Sequence, residues 1–254
     1  MFPIRDHNPS NRTPFVTYGL ILINVAVFLS YFPEMGSNPH QLAAFWADYA
    51  VVPAEITAGV DLPTLITSMF LHGGWMHLLG NMLYLWIFGD NLEDTLGHVG
   101  FLLFYLLAGV AAALAQVAAD PYSPVPMVGA SGAIAGVLGG YLLLFPKAKV
   151  DVLFIFIVFF KVWSIRAWIV LGVWFGLQLY NGAGSGTGGG VAYWAHAGGF
   201  VAGAILILPH WLRRGATAFW DRNEGHPPHP DAEYELSKSR IPVVRRRRRT
   251  GHDD

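Results

Sequence analysis

Apolar residues in this chain fall in long unbroken runs, not in the short alternations of a soluble sheet. Phe15–Phe32, Val99–Ala119, Gly129–Phe145 and Val191–Leu208 each approach the ~20 residues, range roughly 17–25, that a helix needs to cross a bilayer. Trp75–Phe88 reads as a further span whose start lies a few residues earlier. From Val150 to Tyr180 the chain stays apolar apart from Asp151, Lys161 and Arg166, which is too long for one span. We expect an interfacial stretch at Val150–Trp163 and a fifth span over about Arg166–Tyr180. Pro33 to Leu71 is semi-apolar, broken by Pro53 and Pro63, with Trp46, Tyr49 and only acidic charges, and predicts an interfacial or partly inserted loop. The pattern predicts an all-α fold: a polytopic membrane protein with a six-transmembrane-helix bundle.

Composition strengthens that picture. Of 254 residues, 54% are hydrophobic and 13% charged, against about 25% charged in soluble domains. The net charge of −1 hides an asymmetry, because Ser30 to Phe145 holds no Lys or Arg while Arg245–Arg249 is a basic run. With six spans, Arg5, Arg12, Lys147, Lys149, Arg213, Arg214 and that run share one side. The loops Pro33–Leu71, Asp120–Val128 and Asn181–Gly190 on the other side have no Lys or Arg. The positive-inside rule then places both termini in the cytoplasm. An odd number of spans would put basic residues on both faces. The expected organisation is a cytoplasmic segment over 1–14, a membrane domain over 15–210 and a basic, disordered cytoplasmic tail over 211–254, with Pro227, Pro228 and Pro230. The arginine run suits anionic lipid headgroups better than nucleic acid, since no folded basic surface accompanies it. A cleaved signal peptide is the alternative for the first run, but no small-x-small site follows it. With no cysteine, thiolate metal sites, disulfides and a cysteine nucleophile are excluded.

Polar groups inside spans are costly and are functional suspects. Here they are His77 and Asn81 in the second span, Ser131 at the start of the fourth and His196 in the sixth. These spans run in the same direction, and the positions of His77, Ser131 and His196 put them within roughly 10 Å of one another in depth at ~1.5 Å per residue. Small residues permit close approach. Gly132, Gly136 and Gly140 line one stripe of the fourth span, with Ser131, Ala135 and Gly139 beside it; Gly199 and Gly203 line the sixth. His196, three residues before Gly199, lies near the same face. The Ser131 hydroxyl can therefore meet an imidazole nitrogen of His196, the geometry by which a base activates a weak alcohol nucleophile. His77 and Asn81, about 40° apart around a helix, present N–H donors for a developing oxyanion, and the backbone N–H of Ser131 is a third.

These residues resemble the rhomboid family of intramembrane serine proteases. The matching elements are Gly129-x-Ser131-Gly132, His72-x4-His77-x3-Asn81, Ala195-His196-x2-Gly199-x3-Gly203 and Gly89-x3-Glu93-x3-Gly97, in family order across about Phe15–Leu208. The resemblance implies a protease that cleaves other membrane proteins within or beside their transmembrane helices. It implies Ser131 as nucleophile, His196 as general base without an Asp partner, and His77, Asn81 and the Ser131 N–H as the oxyanion hole. It also implies substrate entry involving the fifth helix and the following loop, here glycine-rich Asn181–Gly190, with no cofactor or metal. Supporting roles are expected for His72, Gly129, Gly132, Gly199, Gly203 and Glu93, the last as an acceptor for loop amides in the Gly89–Gly97 turn. Transmembrane proteins are the expected substrates, the lipid bilayer the medium, and a bacterial-type plasma membrane the location. Two departures stand out. Family members often place an aromatic four residues after the nucleophile, under the catalytic imidazole, where this chain has Ala135. A Trp-Arg pair found in the first loop of some members is absent from Pro33–Leu71.

Other classes fit less well. A proton-relaying transporter or channel would carry acidic groups at mid-membrane, and spans one to four and six have none there. A catalytically dead relative that escorts clients would lack the serine or histidine, and both are present. A metalloprotease would need H-E-x-x-H, and an aspartyl protease paired Asp residues in two spans. His72, five residues from His77 and roughly 140° around a helix from it, does not form a helix-face metal pair with it. Asn24, Gln116 and Gln178 read as interhelical hydrogen-bond partners, and Trp75, Trp194 and Trp211 as interface anchors.

Overall fold

The computed structural model describes residues 2–156, 159–184, 191–227 and 231–232. Residues 185–190 of the glycine-rich loop and the Arg245–Arg249 run lie outside the described residues. In chain order the elements are β1 (Phe2–Asp6), α1 (Phe15–Met35), α2 (Pro39–Tyr49), α3 (Pro53–Thr57), α4 (Thr64–Thr67), a 3₁₀ turn (Ser68–Phe70), α5 (Trp75–Leu96), α6 (His98–Ala119) and α7 (Ser131–Leu144). They continue with β2 (Lys149–Phe156), β3 (Phe159–Arg166), α8 (Ala167–Gly184), α9 (Tyr193–Arg213) and α10 (Thr217–Asn223).

The chain is mostly helical, and α1, α6 and α9 are each long and apolar enough to cross a membrane. Their outer faces expose residues such as Leu22, Leu107 and Ile205, which suits a surface solvated by lipid tails. The centre is built from small residues. α7 lies against α9, and a Cβ added to Gly199 or Gly203 would land on the carbonyl oxygen of Gly132 or Gly136, and one added to Gly139 on that of Phe200. Backbone thus meets backbone along the two glycine stripes, the approach that small residues permit where lipid supplies no hydrophobic drive.

Several boundaries differ from expectation. α5 runs two turns past Phe88 and carries Asp90, Glu93 and Asp94 in its last turns. The Gly89–Gly97 segment is therefore helix up to Leu96, with the reversal confined to Gly97 at φ +72°. Glu93 is buried and accepts hydrogen bonds from the Val16 N–H at 2.8 Å, the Thr17 N–H at 2.8 Å and the Thr17 hydroxyl at 2.7 Å. One carboxylate from α5 thereby satisfies first-turn donors of α1, a helix whose N-cap, Pro14, makes no side-chain bond. The Pro33–Leu71 loop holds α2, α3, α4 and the 3₁₀ turn, all too short to span. Asn24 bonds the Leu20 carbonyl one turn back at 2.8 Å, within its own helix and not between helices.

The all-α expectation is corrected by a three-stranded antiparallel sheet in the order β1-β2-β3. The stretch expected to lie at the interface, Val150–Trp163, is most of its β2–β3 hairpin. A short continuous apolar run has no period that separates strand from helix, and a five-residue edge strand at the N-terminus gives still less signal. Asp151 pins the sheet: it accepts from Arg5 Nε at 2.7 Å, pairs with His7 Nε2 at 2.9 Å, and receives the Ser164 hydroxyl. Tyr141 of α7 donates its hydroxyl to Asp6 at 2.7 Å, fixing β1 to the bundle. The segment from residue 211, expected as a disordered tail, begins instead with the end of α9 and with α10. Phe219 of α10 is buried and Trp220 Nε1 donates to the Leu143 carbonyl at 3.1 Å.

Candidate active site

The polar residues expected to cluster come from three helices whose N-terminal ends meet at one end of the bundle. Ser131 is the first residue of α7, His196 lies in the first turn of α9, and His77 and Asn81 occupy the first two turns of α5. All four line one cavity of about 1240 Å³, whose walls also include the 125–128 and 191–194 segments. The Ser131 hydroxyl and His196 Nε2 are 2.8 Å apart. Gly132 beside Ser131 and Gly199 after His196 are the positions at which α7 and α9 touch, so the glycine contact and the Ser–His contact belong to one interface.

The second pair sits across from the first. His77 Nδ1 accepts the Gly73 N–H at 3.3 Å. A nitrogen that accepts holds no proton, so in the neutral ring the proton is on Nε2, which is left as a donor. Asn81 is 8% exposed and its Nδ2 makes no hydrogen bond among the described residues. A buried amide donor without a partner is costly unless it serves something that binds there. Both donors border Gly129. A Cβ at that glycine would lie 2.7 Å from His77 Nε2 and 3.7 Å from Asn81 Nδ2, and its φ of +128° is one side chains rarely adopt. Glycine therefore keeps open the space that the two donors face. The Ser131 N–H stands at the start of α7, where no preceding turn supplies a carbonyl.

His72 lies just before α5, fully buried, with its backbone held at both ends by Tyr31. The Tyr31 hydroxyl donates to the His72 carbonyl at 2.7 Å and accepts its N–H at 2.7 Å. The His72 and His77 rings meet edge to face at 5.0 Å. Glu93 lies at the far end of α5, outside this cavity.

Sequence reasoning expected a fifth span over about Arg166–Tyr180 and an interhelical bond from Gln178, but it did not place Trp174 and Gln178 of α8 against His196. Ala135 leaves no aromatic beneath the imidazole. Instead Trp174 of α8 has its ring 5.9 Å from that of His196, tilted by 33°. One turn on, Gln178 Oε1 is 2.9 Å from His196 Nδ1. The available signal was Trp174 and Gln178 at i and i+4, one apolar and one polar residue on a common face. Gln116 of α6 accepts the Ala195 N–H at 3.2 Å, an interhelical bond beside the same histidine.

Residues 61–213 match the Rhomboid domain. Over 200 residues, 78% of this chain and 36% of the relative, the sequence is 34% identical to Rhomboid protease GluP of Bacillus subtilis. It is 33% identical over 196 residues to Rhomboid protein 1, mitochondrial, of Saccharomyces cerevisiae, covering 75% of this chain and 51% of that one. Rhomboid-like protein 11, chloroplastic, of Arabidopsis thaliana is 31% identical over 134 residues, 52% of this chain and 43% of its own length. The chain thus spans between about a third and about half the length of these relatives.

Proposed function

Because this chain belongs to the rhomboid family, we propose that it is an intramembrane serine endopeptidase that cleaves transmembrane segments of other membrane proteins. The observation that carries the proposal is the 2.8 Å contact between the Ser131 hydroxyl and His196 Nε2 inside the cavity. His196 Nε2 takes the hydroxyl proton as Ser131 Oγ attacks the scissile carbonyl carbon. The carbonyl π electrons move to oxygen, and the oxyanion receives hydrogen bonds from His77 Nε2–H, Asn81 Nδ2–H and the Ser131 N–H. The protonated His196 then gives its proton to the leaving amine, which leaves an ester on Ser131. Water, deprotonated by the same nitrogen, attacks the ester and releases the acid product, and the proton returns to Ser131. No step calls for a metal or cofactor.

Six spans complete the reading: α1, α5, α6, α7, α8 and α9, with both termini in the cytoplasm of a bacterial-type cell and the protease domain over 15–210. α7 has 14 residues, about 21 Å at ~1.5 Å per residue, against a hydrocarbon core of ~30 Å. A helix that short ends below the membrane surface. Its first residue, Ser131, then sits at the floor of a recess that water can enter from the extracytoplasmic side. Transmembrane proteins are the substrates, reaching that recess from the bilayer.

A fluorophosphonate probe on detergent-solubilised protein tests the assignment. Wild type should be labelled, while Ser131→Ala and His196→Ala should not be, with each variant as well folded as wild type by thermal melting. Labelling that survives the loss of Ser131 would overturn the nucleophile.

A further inference from the structure

Taking Ser131 and His196 as nucleophile and base, a catalytic histidine without an acidic partner still needs something to choose its tautomer. His196 can serve as a base toward Ser131 only if Nε2 is unprotonated, which requires the proton on Nδ1. Nδ1 faces Gln178 Oε1 at 2.9 Å. An amide side chain presents either oxygen or nitrogen, and the wrong choice would offer Nδ1 a donor and force the proton onto Nε2. The other end of the same amide settles this. Gln178 Nε2 lies 3.3 Å from the carbonyl oxygen of Trp174, one turn back in α8. A carbonyl only accepts, so the NH2 must point at it and the oxygen must point at His196. Gln178 is 9% exposed, so water offers little to support the flipped orientation.

We propose that Gln178 is the positioning residue of the base, and that α8 sets the imidazole tautomer through a one-way chain of hydrogen bonds. The chain runs from the Ser131 hydroxyl to His196 Nε2, from His196 Nδ1–H to Gln178 Oε1, and from Gln178 NH2 to the Trp174 carbonyl. Trp174 acts twice, since its ring also packs on the imidazole face and on Phe200, 5.9 Å and 6.1 Å away between centroids. Both contacts come from α8, so the imidazole is held in its working orientation only while α8 is docked on α9. A neutral amide fixes the tautomer without neutralising the imidazolium that forms during attack, in contrast to a carboxylate partner.

Two substitutions separate this role from simple helix packing. Gln178→Met keeps the length and removes the acceptor. It should lower kcat and the rate of fluorophosphonate labelling roughly 10–100-fold, by analogy with the loss of the partner that orients a metal-bound histidine, with KM for a transmembrane substrate little changed. Gln178→Glu restores an acceptor and adds negative charge. It should keep activity within about tenfold of wild type and move the acid limb of the pH–rate profile upward by about 1–3 units, because a carboxylate favours the protonated imidazole. The other titratable groups lining the same cavity are His77 and Tyr84 of α5, Asp120 after α6 and Tyr193 of α9. They are unchanged between the variants, so the shift reports the Gln178 position. Labelling of Gln178→Met at the wild-type rate, or an acid limb unmoved in Gln178→Glu, would overturn the proposal while leaving the Ser131 assignment intact. Absence of labelling in wild type would instead remove the reading on which it rests.

Discussion

Asn81 isolates a single donor whose proposed task is in the transition state. Its Nδ2 is buried and makes no bond among the described residues, so it has little to stabilise in the resting protein. Asn81→Ala should therefore lower kcat by about 10²–10³-fold, as for other single oxyanion donors, with KM and melting temperature nearly unchanged. Gly129→Ala should do at least as much damage, because the added methyl would press on His77 Nε2 and enter the space both donors face. Steady-state cleavage of a transmembrane substrate, alongside melting curves, checks both. At this scale the clustering of the candidate site's residues was legible in the sequence. Ser131, His77, Asn81 and His196 are polar groups inside apolar runs, and a position in lipid is itself the signal. Gln178 and Trp174 were not legible as partners of His196. Glutamine on a span usually bonds a neighbouring helix, and which atom it meets depends on the rotation of α8, which an 18-residue apolar helix does not announce.

At the scale of elements, the helices could be read because their apolar length far exceeds that of any strand, and their errors are confined to ends. α5 ran on through Asp90, Glu93 and Asp94 because those carboxylates face the protein, where Glu93 receives first-turn donors of α1. The sheet escaped because β1 and β2 are 143 residues apart between Asp6 and Lys149, and no local pattern announces such pairing. Its chemistry gives a pH test. Burial pushes the Asp151 carboxyl up, yet hydrogen bonds from Ser164, His7 and Arg5 outweigh that cost, so its pKa lies below the ordinary carboxylate value. A pKa depressed in the folded state contributes stability above the unfolded-state pKa and loses it as pH falls through the folded value. Asp151→Asn should therefore melt lower than wild type at neutral pH. The difference should close on acidification below the ordinary carboxylate range, and a gap independent of pH would show that the carboxylate charge is not what holds the sheet.

For the whole molecule, the decisive quantity is sidedness, because the proposed chemistry opens the recess above Ser131 to one face of the membrane only. The proposed topology, with the termini on the cytoplasmic side as the distribution of Lys and Arg suggests and six spans, would put the loops before α5, α7 and α9 outside. The structure supplies positions for the test: Tyr122, in the loop between α6 and α7, is 80% exposed, and the Arg12 side chain before α1 is 66% exposed. The chain has no cysteine, so a single introduced thiol reports without background. In intact cells a membrane-impermeant maleimide should label Tyr122→Cys at once and Arg12→Cys only after the membrane is opened. The reverse pattern would place Ser131 near the cytoplasmic leaflet and leave the basic residues on the wrong side of the potential. Labelling of both positions from outside would mean an even number of crossings between them, so that one of α1, α5 and α6 does not span. Of these α5 carries His77 and Asn81, and a crossing that failed there would take both donors away from Ser131, so the topology and the proposed chemistry of the site stand or fall together.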